Sequence, residues 1–257
     1  MLLTVDIGNT TVAVGGFDGE SLRFLRRLPS DRALDDPGWQ AALATLLAGE
    51  QVHAAEGSVL SSVVPVLTPR VAGALTALTG KPVLTVNKDT PTGLSIPHYD
   101  TASLGMDRVV DCVAALARYA PPLAVFDMGT ATTLTVINEK RELVGGMILP
   151  GLGLSLEALS AKAAQLPPVT LVPPKALMGT DTLSCMNNGA LYGAAGAIEG
   201  ITARLEEECG PLTVVLTGGM APHVLPLLRR KVSYEPHLQL LGLRTLWLNQ
   251  QKNASDR

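Results

Sequence analysis

Aromatic side chains are scarce in this chain. They make up 4% of its 257 residues while 47% are hydrophobic, so any core has to be assembled from Leu, Val and Ala. Cys112, Cys185 and Cys209 are odd in number and far apart, which excludes a disulfide framework or a zinc site and fits reduced structural thiols. His53, His98, His223 and His237 show no metal-ligand spacing. A formal charge of −3 gives no electrostatic reason to expect nucleic acid or an anionic membrane as partner. No stretch approaches the ~18 to 20 apolar residues of a membrane span. The most apolar window, Gly145 to Leu154, is broken by Pro150 and four glycines. No basic segment precedes the first apolar run, which Asp6 interrupts, so a signal peptide is not expected and a cytoplasmic protein is. Two phosphate signatures are also missing. There is no G-x-x-x-x-G-K-[ST] loop, and Gly151-x-Gly153 follows a proline without the third glycine of a dinucleotide fingerprint.

What is present is one short motif in two copies. Asp6-Ile7-Gly8-Asn9-Thr10 follows the apolar run Leu2 to Val5, and Asp127-Met128-Gly129-Thr130 follows Leu123 to Phe126. Each leads into a second β-branched run, which reads as strand, tight turn, strand. Glycine lets the backbone approach an oxyanion, its neighbours aim N–H groups inward, and Thr10, Thr11, Thr130 and Thr132 add hydroxyl donors. Aspartate repels phosphate, so it is expected to hold a cation or water beside it. Such turns are common in ordinary hairpins. Two copies about 120 residues apart point instead to duplicated half-domains closing on one nucleotide.

The rest of the chain supports a duplication. Leu2 to Phe17 is expected as a hairpin and Ser21 to Leu28 as a third strand. Helical spacing follows over Trp39 to Ala48, a buried strand over Gly57 to Val64, a helix over Val66 to Leu78, a short strand over Val83 to Val86 and a helix over Asp107 to Tyr119. After Pro121-Pro122, Leu123 to Ile137 repeats the hairpin and Leu143 to Ile148 the third strand. Leu154 to Ala164 and Met186 to Glu208 read as helices, Leu212 to Leu216 as a strand and Pro222 to Lys231 as a helix; the polar tail after Leu248 is expected to fray. An α/β architecture of mixed sheets with flanking helices follows.

Three further segments have two readings each. Thr217-Gly218-Gly219 opens a helix after a strand, either as a plain turn or as room for a base or ribose. Gly105-Met106-Asp107-Arg108 starts a helix, with Asp107 either a cap or a functional carboxylate. Gly189, Gly193 and Ala197 form a small-residue stripe, suited either to packing on the sheet or to a subunit interface.

These motifs, in this order, resemble the type III pantothenate kinases of the acetate and sugar kinase, heat-shock ATPase and actin superfamily. The resemblance runs from Leu2 to about Leu243 and includes Ser61-Ser62-Val63-Val64-Pro65 and Gly145 to Gly151 with Leu166-Pro167. It implies two actin-like (ribonuclease H-like) half-domains around a nucleotide cleft, at residues 1–120 and 121–257. It also implies transfer of the γ-phosphoryl group of ATP to the primary hydroxyl of pantothenate, opening coenzyme A synthesis. By the same resemblance, Asp6, Ile7, Gly8, Asn9, Thr10, Thr11, Val12, Ala13, Thr130, Gly218 and Gly219 contact ATP, with Asp6 close to Mg2+. Tyr99, Gly105, Met106, Asp107, Arg108 and Thr182 hold pantothenate, Asp107 is the general base, and Asp127 is the ligand of a monovalent cation, K+ or NH4+. A homodimer is implied too. The chain departs from the family pattern at Thr11, Met106, Met128 and Asp181, where Asn, Ala, a smaller residue and Asn are usual.

Two rivals stand against this reading. One is a kinase or phosphatase of the same superfamily acting on a sugar, acetate or polyphosphate, disfavoured by the Tyr99, Gly105 to Arg108 and Thr182 set. The other is a non-catalytic nucleotide-binding regulator, disfavoured because the first hairpin begins at residue 2 and leaves no room for a DNA-binding module before it.

Overall fold

The computed structural model describes residues 1–97, 99–101 and 103–255. Two five-stranded mixed sheets carry the chain. In the first, β1 (Leu2–Ile7), β2 (Thr11–Asp18) and β3 (Ser21–Pro29) form an antiparallel meander, and β4 (Gly57–Ser62) and β5 (Val83–Thr85) extend it in parallel beyond β1, in the order β3-β2-β1-β4-β5. In the second, β6 (Leu123–Met128), β7 (Ala131–Ile137) and β8 (Leu143–Pro150) form the meander, with β9 (Thr213–Thr217) and β10 (Ser233–Tyr234) parallel beyond β6. Its order, β8-β7-β6-β9-β10, reproduces the first strand for strand. The duplication read from two short turns therefore extends to whole sheets.

The helices are α1 (Asp36–Gly49), α2 (Thr68–Thr79), α3 (Met106–Arg118), α4 (Leu152–Lys162), α5 (Thr182–Cys209), α6 (Ala221–Val224) and α7 (Leu238–Ser255). α1 starts where Asp35 Oδ1 accepts from Gly38 N–H, a side-chain cap with Pro37 in the first turn. Trp39, Leu43 and Leu47 recur at steps of four and bury one stripe of α1 against Val71 and Leu75 of α2 and the sheet.

Contacts divide the chain into two compact units: Met1–Leu94 with Asp100–Ala117 and the chain from Leu238, and Ser95–Tyr99 with Arg118–His237. The expected half-domain boundary put everything after residue 121 in the second half, but α7 is packed in the first unit. Leu240, Leu243 and Leu246 are buried there with Val59, Val110 and Val113. Fraying after Leu248 is not observed either, since α7 runs on to Ser255. The helix expected over Pro222 to Lys231 is also corrected: α6 ends at Val224, a 3-10 turn covers Leu225–Leu227, and Leu228 is extended. Pro226 lies in that turn, and proline cannot donate the hydrogen bond an α-helix would need. The α5 helix begins four residues before the expected Met186 because Asp181 caps it. Asp181 Oδ1 accepts from Ser184 N–H at 2.9 Å, and the Ser184 hydroxyl accepts in turn from Asp181 N–H at 3.2 Å.

Candidate active site

Parallel strands place functional groups at their carboxyl ends, where loops leave the sheet. Asp6 sits near the end of β1, directly beside Ser61 of the parallel strand β4. The Ser61 hydroxyl is fully buried and donates to Asp6 Oδ1 at 2.9 Å. The carboxyl of Asp6 is pushed up to about 6, first by loss of hydration, with the nearby Asp107 carboxylate adding to the rise and the Ser61 bond opposing it. A carboxyl held against its preference to ionise is suited to a hard cation that would restore its charge. Mg2+ commonly takes one or two carboxylates and completes its shell with phosphate oxygens and water. Among the described residues no group of three or more His, Cys, Asp or Glu could hold a metal ion, so phosphate and water would have to supply most ligands here.

The turn after Asp6 is closed by Gly8 N–H donating to Thr11 O at 3.0 Å. It is pinned by the residue that follows β3, since the Ser30 hydroxyl donates to Gly8 O at 2.6 Å and Ser30 N–H to Thr10 O at 3.0 Å. Asn9, Thr10 and Thr11 are exposed at its tip, and Ala13 is half-buried. Ile7 and Val12 are paired across the hairpin with fully buried side chains, so either can meet a ligand only through its backbone. The second turn is one residue tighter. Asp6 faces Ala13 across the first hairpin, whereas Asp127 faces Thr133 across the second, with Gly129 N–H donating to Ala131 O at 3.0 Å.

Asp127 is half-buried at the end of β6, beside Thr217 on the parallel strand β9, and Thr130 is exposed at its turn. Gly218 follows with φ +93, a left-handed conformation that favours glycine. A Cβ there would collide with Asp127 Oδ1 and with the Met128 main chain at 2.5 Å. The missing side chain lets the end of β9 approach the Asp127 carboxylate and the Met128 main chain closely. Gly219 is exposed beside it, with open space where a Cβ would go. Met128 points the other way. Strand alternation puts its fully buried side chain into the core of the second unit, so its bulk shapes that core rather than the Asp127 face.

Asp107 lies in the first turn of α3, where helix N–H groups and the dipole favour negative charge. Its Oδ1 accepts from Arg108 N–H at 2.8 Å. A Cβ on Gly105 would collide with that same oxygen, so this placement of the carboxylate goes with glycine two residues earlier. Met106 packs on the apolar cluster beneath α3. Arg108 is 6% exposed and lies near Cys112, where it partly offsets the burial and the Asp111 charge that push that thiol up. Tyr99 is half-buried in the 95–99 segment, which bridges to Glu142 through Ser95, and Thr182 is exposed at the start of α5. The Asp181 carboxylate serves as the α5 cap, which holds it below its ordinary range through bonds from Ser184.

The structure thus brings Asp6, Gly8, Ser61 and Asp107 together in the first unit, and Asp127, Thr130 and Gly218 together in the second. Tyr99 and Thr182 sit on other elements of that second unit. Sequence reasoning missed the parts played by Ser30 and Ser61. The Ser61 to Pro65 stretch was visible, but only the β1–β4 register shows that it faces Asp6.

The second unit also holds a cavity of about 420 Å3, walled by β6, β7, β8, α4 and the Cys185 to Ile201 face of α5. Its walls include Gly189, Gly193 and Ala197.

Comparison with known proteins agrees with this arrangement. The family model described as type III pantothenate kinase matches residues 2–204. The type III pantothenate kinase of Moorella thermoacetica is 38% identical over 250 residues, covering 96% of this chain and 98% of its own. That of Roseiflexus castenholzii is 39% identical over 254 residues, with 96% and 98% covered. A Campylobacter jejuni protein assigned to the Baf family of transcriptional activators shares the fold, with a TM-score of 0.61 at 17% identity over 97% of this chain and 99% of that one. A family model spanning most of the chain, relatives above 30% identity along nearly all of it, and the doubled sheet with its two aspartate turns all agree: the chain belongs to the type III pantothenate kinases.

Proposed function

We propose that Asp107 is the general base of this kinase and that the turn after Asp6 is its principal phosphate contact. As a type III pantothenate kinase, the protein phosphorylates pantothenate at the expense of ATP. The observation that carries the residue assignment is the meeting of Asp6 and Asp107 in one unit, from positions about 100 residues apart. Phosphoryl transfer needs a nucleophile deprotonated as it attacks and a negative charge neutralised as it moves. A carboxylate at a helix N-terminus, its Oδ1 fixed by the next N–H, suits the first task. A carboxylate beside a glycine turn suits the second. Mg2+, when bound, would neutralise and orient the phosphates. Asp6 would be its nearest protein ligand, oriented by Ser61.

The remaining assignments follow the same reading. Main-chain N–H groups and hydroxyls of the Gly8 to Ala13 segment hold phosphate, with Thr130 contributing from the second turn and Gly218 and Gly219 leaving space for the adenosine. Asp127 holds a monovalent cation. Tyr99, Thr182 and the Gly105 to Arg108 segment hold pantothenate, and a substrate carboxylate reaching buried Arg108 would form a charge-assisted pair sheltered from water.

A homodimer is proposed through the second unit. Met147, Ile148, Leu154, Leu159 and Met178 are all 45% or more exposed there, and β8 is an edge strand. Exposed apolar groups concentrated on one unit mark an interaction surface. ATP consumption measured with and without pantothenate, in potassium and in sodium buffers, tests the reading. Pantothenate-independent consumption would contradict the substrate, and indifference to the cation would contradict the role of Asp127.

A further inference from the structure

The first turn of α7 lies against the first turn of α3. Gln239 Nε2 donates to the main-chain carbonyl of Asp107 at 2.7 Å. Three residues further along each helix, a Cβ on Gly242 would collide with Val110 O, so the two helices meet there with no room for a side chain. Leu240 and Leu243 of α7 share a buried cluster with Val110 and Val113 of α3. α7 lies beyond the residues that the family model matches.

This contact bears on the carboxylate. Asp107 Oδ1 is tied to the neighbouring Arg108 N–H, so any shift of the local main chain carries the carboxylate with it. The Asp6 carboxyl lies within electrostatic reach of that carboxylate, and Gln239 holds its main chain by the carbonyl. The other end of the same amide is unsatisfied. Gln239 Oε1 is buried and has no hydrogen-bond partner among the described residues. A buried acceptor without a partner is unfavourable, and an apolar side chain of similar length would avoid that cost. Packing alone therefore gives no reason for glutamine here, whereas a donor aimed at the Asp107 carbonyl does.

We propose that Gln239 is a positioning residue for phosphoryl transfer, holding the start of α3 so that the Asp107 carboxylate keeps its place beside Asp6. This rests on the assignment of Asp107 as general base.

The test is a double-mutant cycle in the full-length protein, reading kcat, KM for ATP and melting temperature. Gln239→Leu removes the donor, and small displacements of a catalytic group are costly, so kcat should fall about 10- to 100-fold. KM for ATP should stay within about twofold and the melting temperature should be equal or higher. Gln239→Glu keeps the shape but turns an acceptor toward the carbonyl, and gives the same kcat loss should the leucine variant fail to fold. In an Asp107→Asn background the Gln239 change should alter turnover by less than about twofold, because residues that act as a unit are not additive. Near-normal kcat in both Gln239 variants, while Asp107→Asn is strongly impaired, would overturn the proposal. So would an undiminished Gln239 effect in the Asp107→Asn background. Near-normal turnover in Asp107→Asn alone is a separate result: it removes the base, and with it anything for Gln239 to position.

Discussion

Asp6 should make the ligand-free protein less stable than it need be, and Asp6→Asn should expose the cost. The carboxyl is raised from 3.8 to about 6, chiefly by burial. The sign follows from linkage. A raised acid pKa means that the native state binds the proton more tightly than the unfolded chain, so stability is full below about pH 4 and is lost as pH rises through about 6. Two units at ~1.4 kcal/mol each set a ceiling of about 3 kcal/mol for ionising Asp6 in the native state. Asp6 keeps some solvent contact, so about 1–2 kcal/mol is the expected size. Asparagine pays nothing at neutral pH and its Oδ1 can still accept from Ser61. Melting curves in chelator, without nucleotide, should place Asp6→Asn level with wild type at pH 4. At pH 7.5 the variant should melt about 2–8 °C higher. Adding Mg-ATP should reverse the order, because ligand stabilises only the protein that binds it. A variant less stable than wild type at pH 7.5, or a gain that does not change with pH, would refute the reasoning.

Three other outcomes are expected. Asp127→Ala should lower apparent ATP affinity and abolish stimulation by potassium; equal wild-type activity in potassium, sodium and a bulky organic cation would contradict the assignment. Gly218→Ala forces a Cβ against Asp127 Oδ1 at φ +93 and should destabilise the protein by about 1–3 kcal/mol, whereas an unchanged denaturation midpoint would contradict the clash. Ile148→Lys puts a charge on an exposed apolar residue of the β8 edge strand and should fold normally, yet light scattering should show its dimer weakened at micromolar concentrations. A wild-type protein that is monomeric there, or a variant that remains fully dimeric, would contradict the interface.

Local chemistry was legible in the sequence, and distant register was not. The aspartate-glycine turns announced themselves because apolar runs flank them, and the alternation of strands and helices followed from periodicity. The pairing of Ser61 with Asp6 depends on a parallel register between β1 and β4, for which no local turn supplies a signal. The α7 helix was missed although Leu240, Leu243 and Leu246 recur at steps of three. The polar residues from Asn249 onward resemble a tail, and the surface that buries those leucines comes from β4 and α3. Met128, one of the departures from the family pattern, neighbours Asp127 in sequence, but adjacent strand residues face opposite sides of a sheet and its side chain lies in the core. Asp181, another departure from the family pattern, is the cap of α5, a role that only the helix start reveals.

The central claim is that Asp107 takes the proton of the accepting hydroxyl, and Asp107→Asn tests it most directly. Asparagine keeps the size and can still accept from Arg108 N–H, but it cannot take a proton. Turnover should fall about 10²–10⁴-fold, while ATP affinity and melting temperature stay close to wild type. Were Asp107 only a helix cap, asparagine would serve nearly as well. A fall of less than about tenfold in turnover would contradict the account.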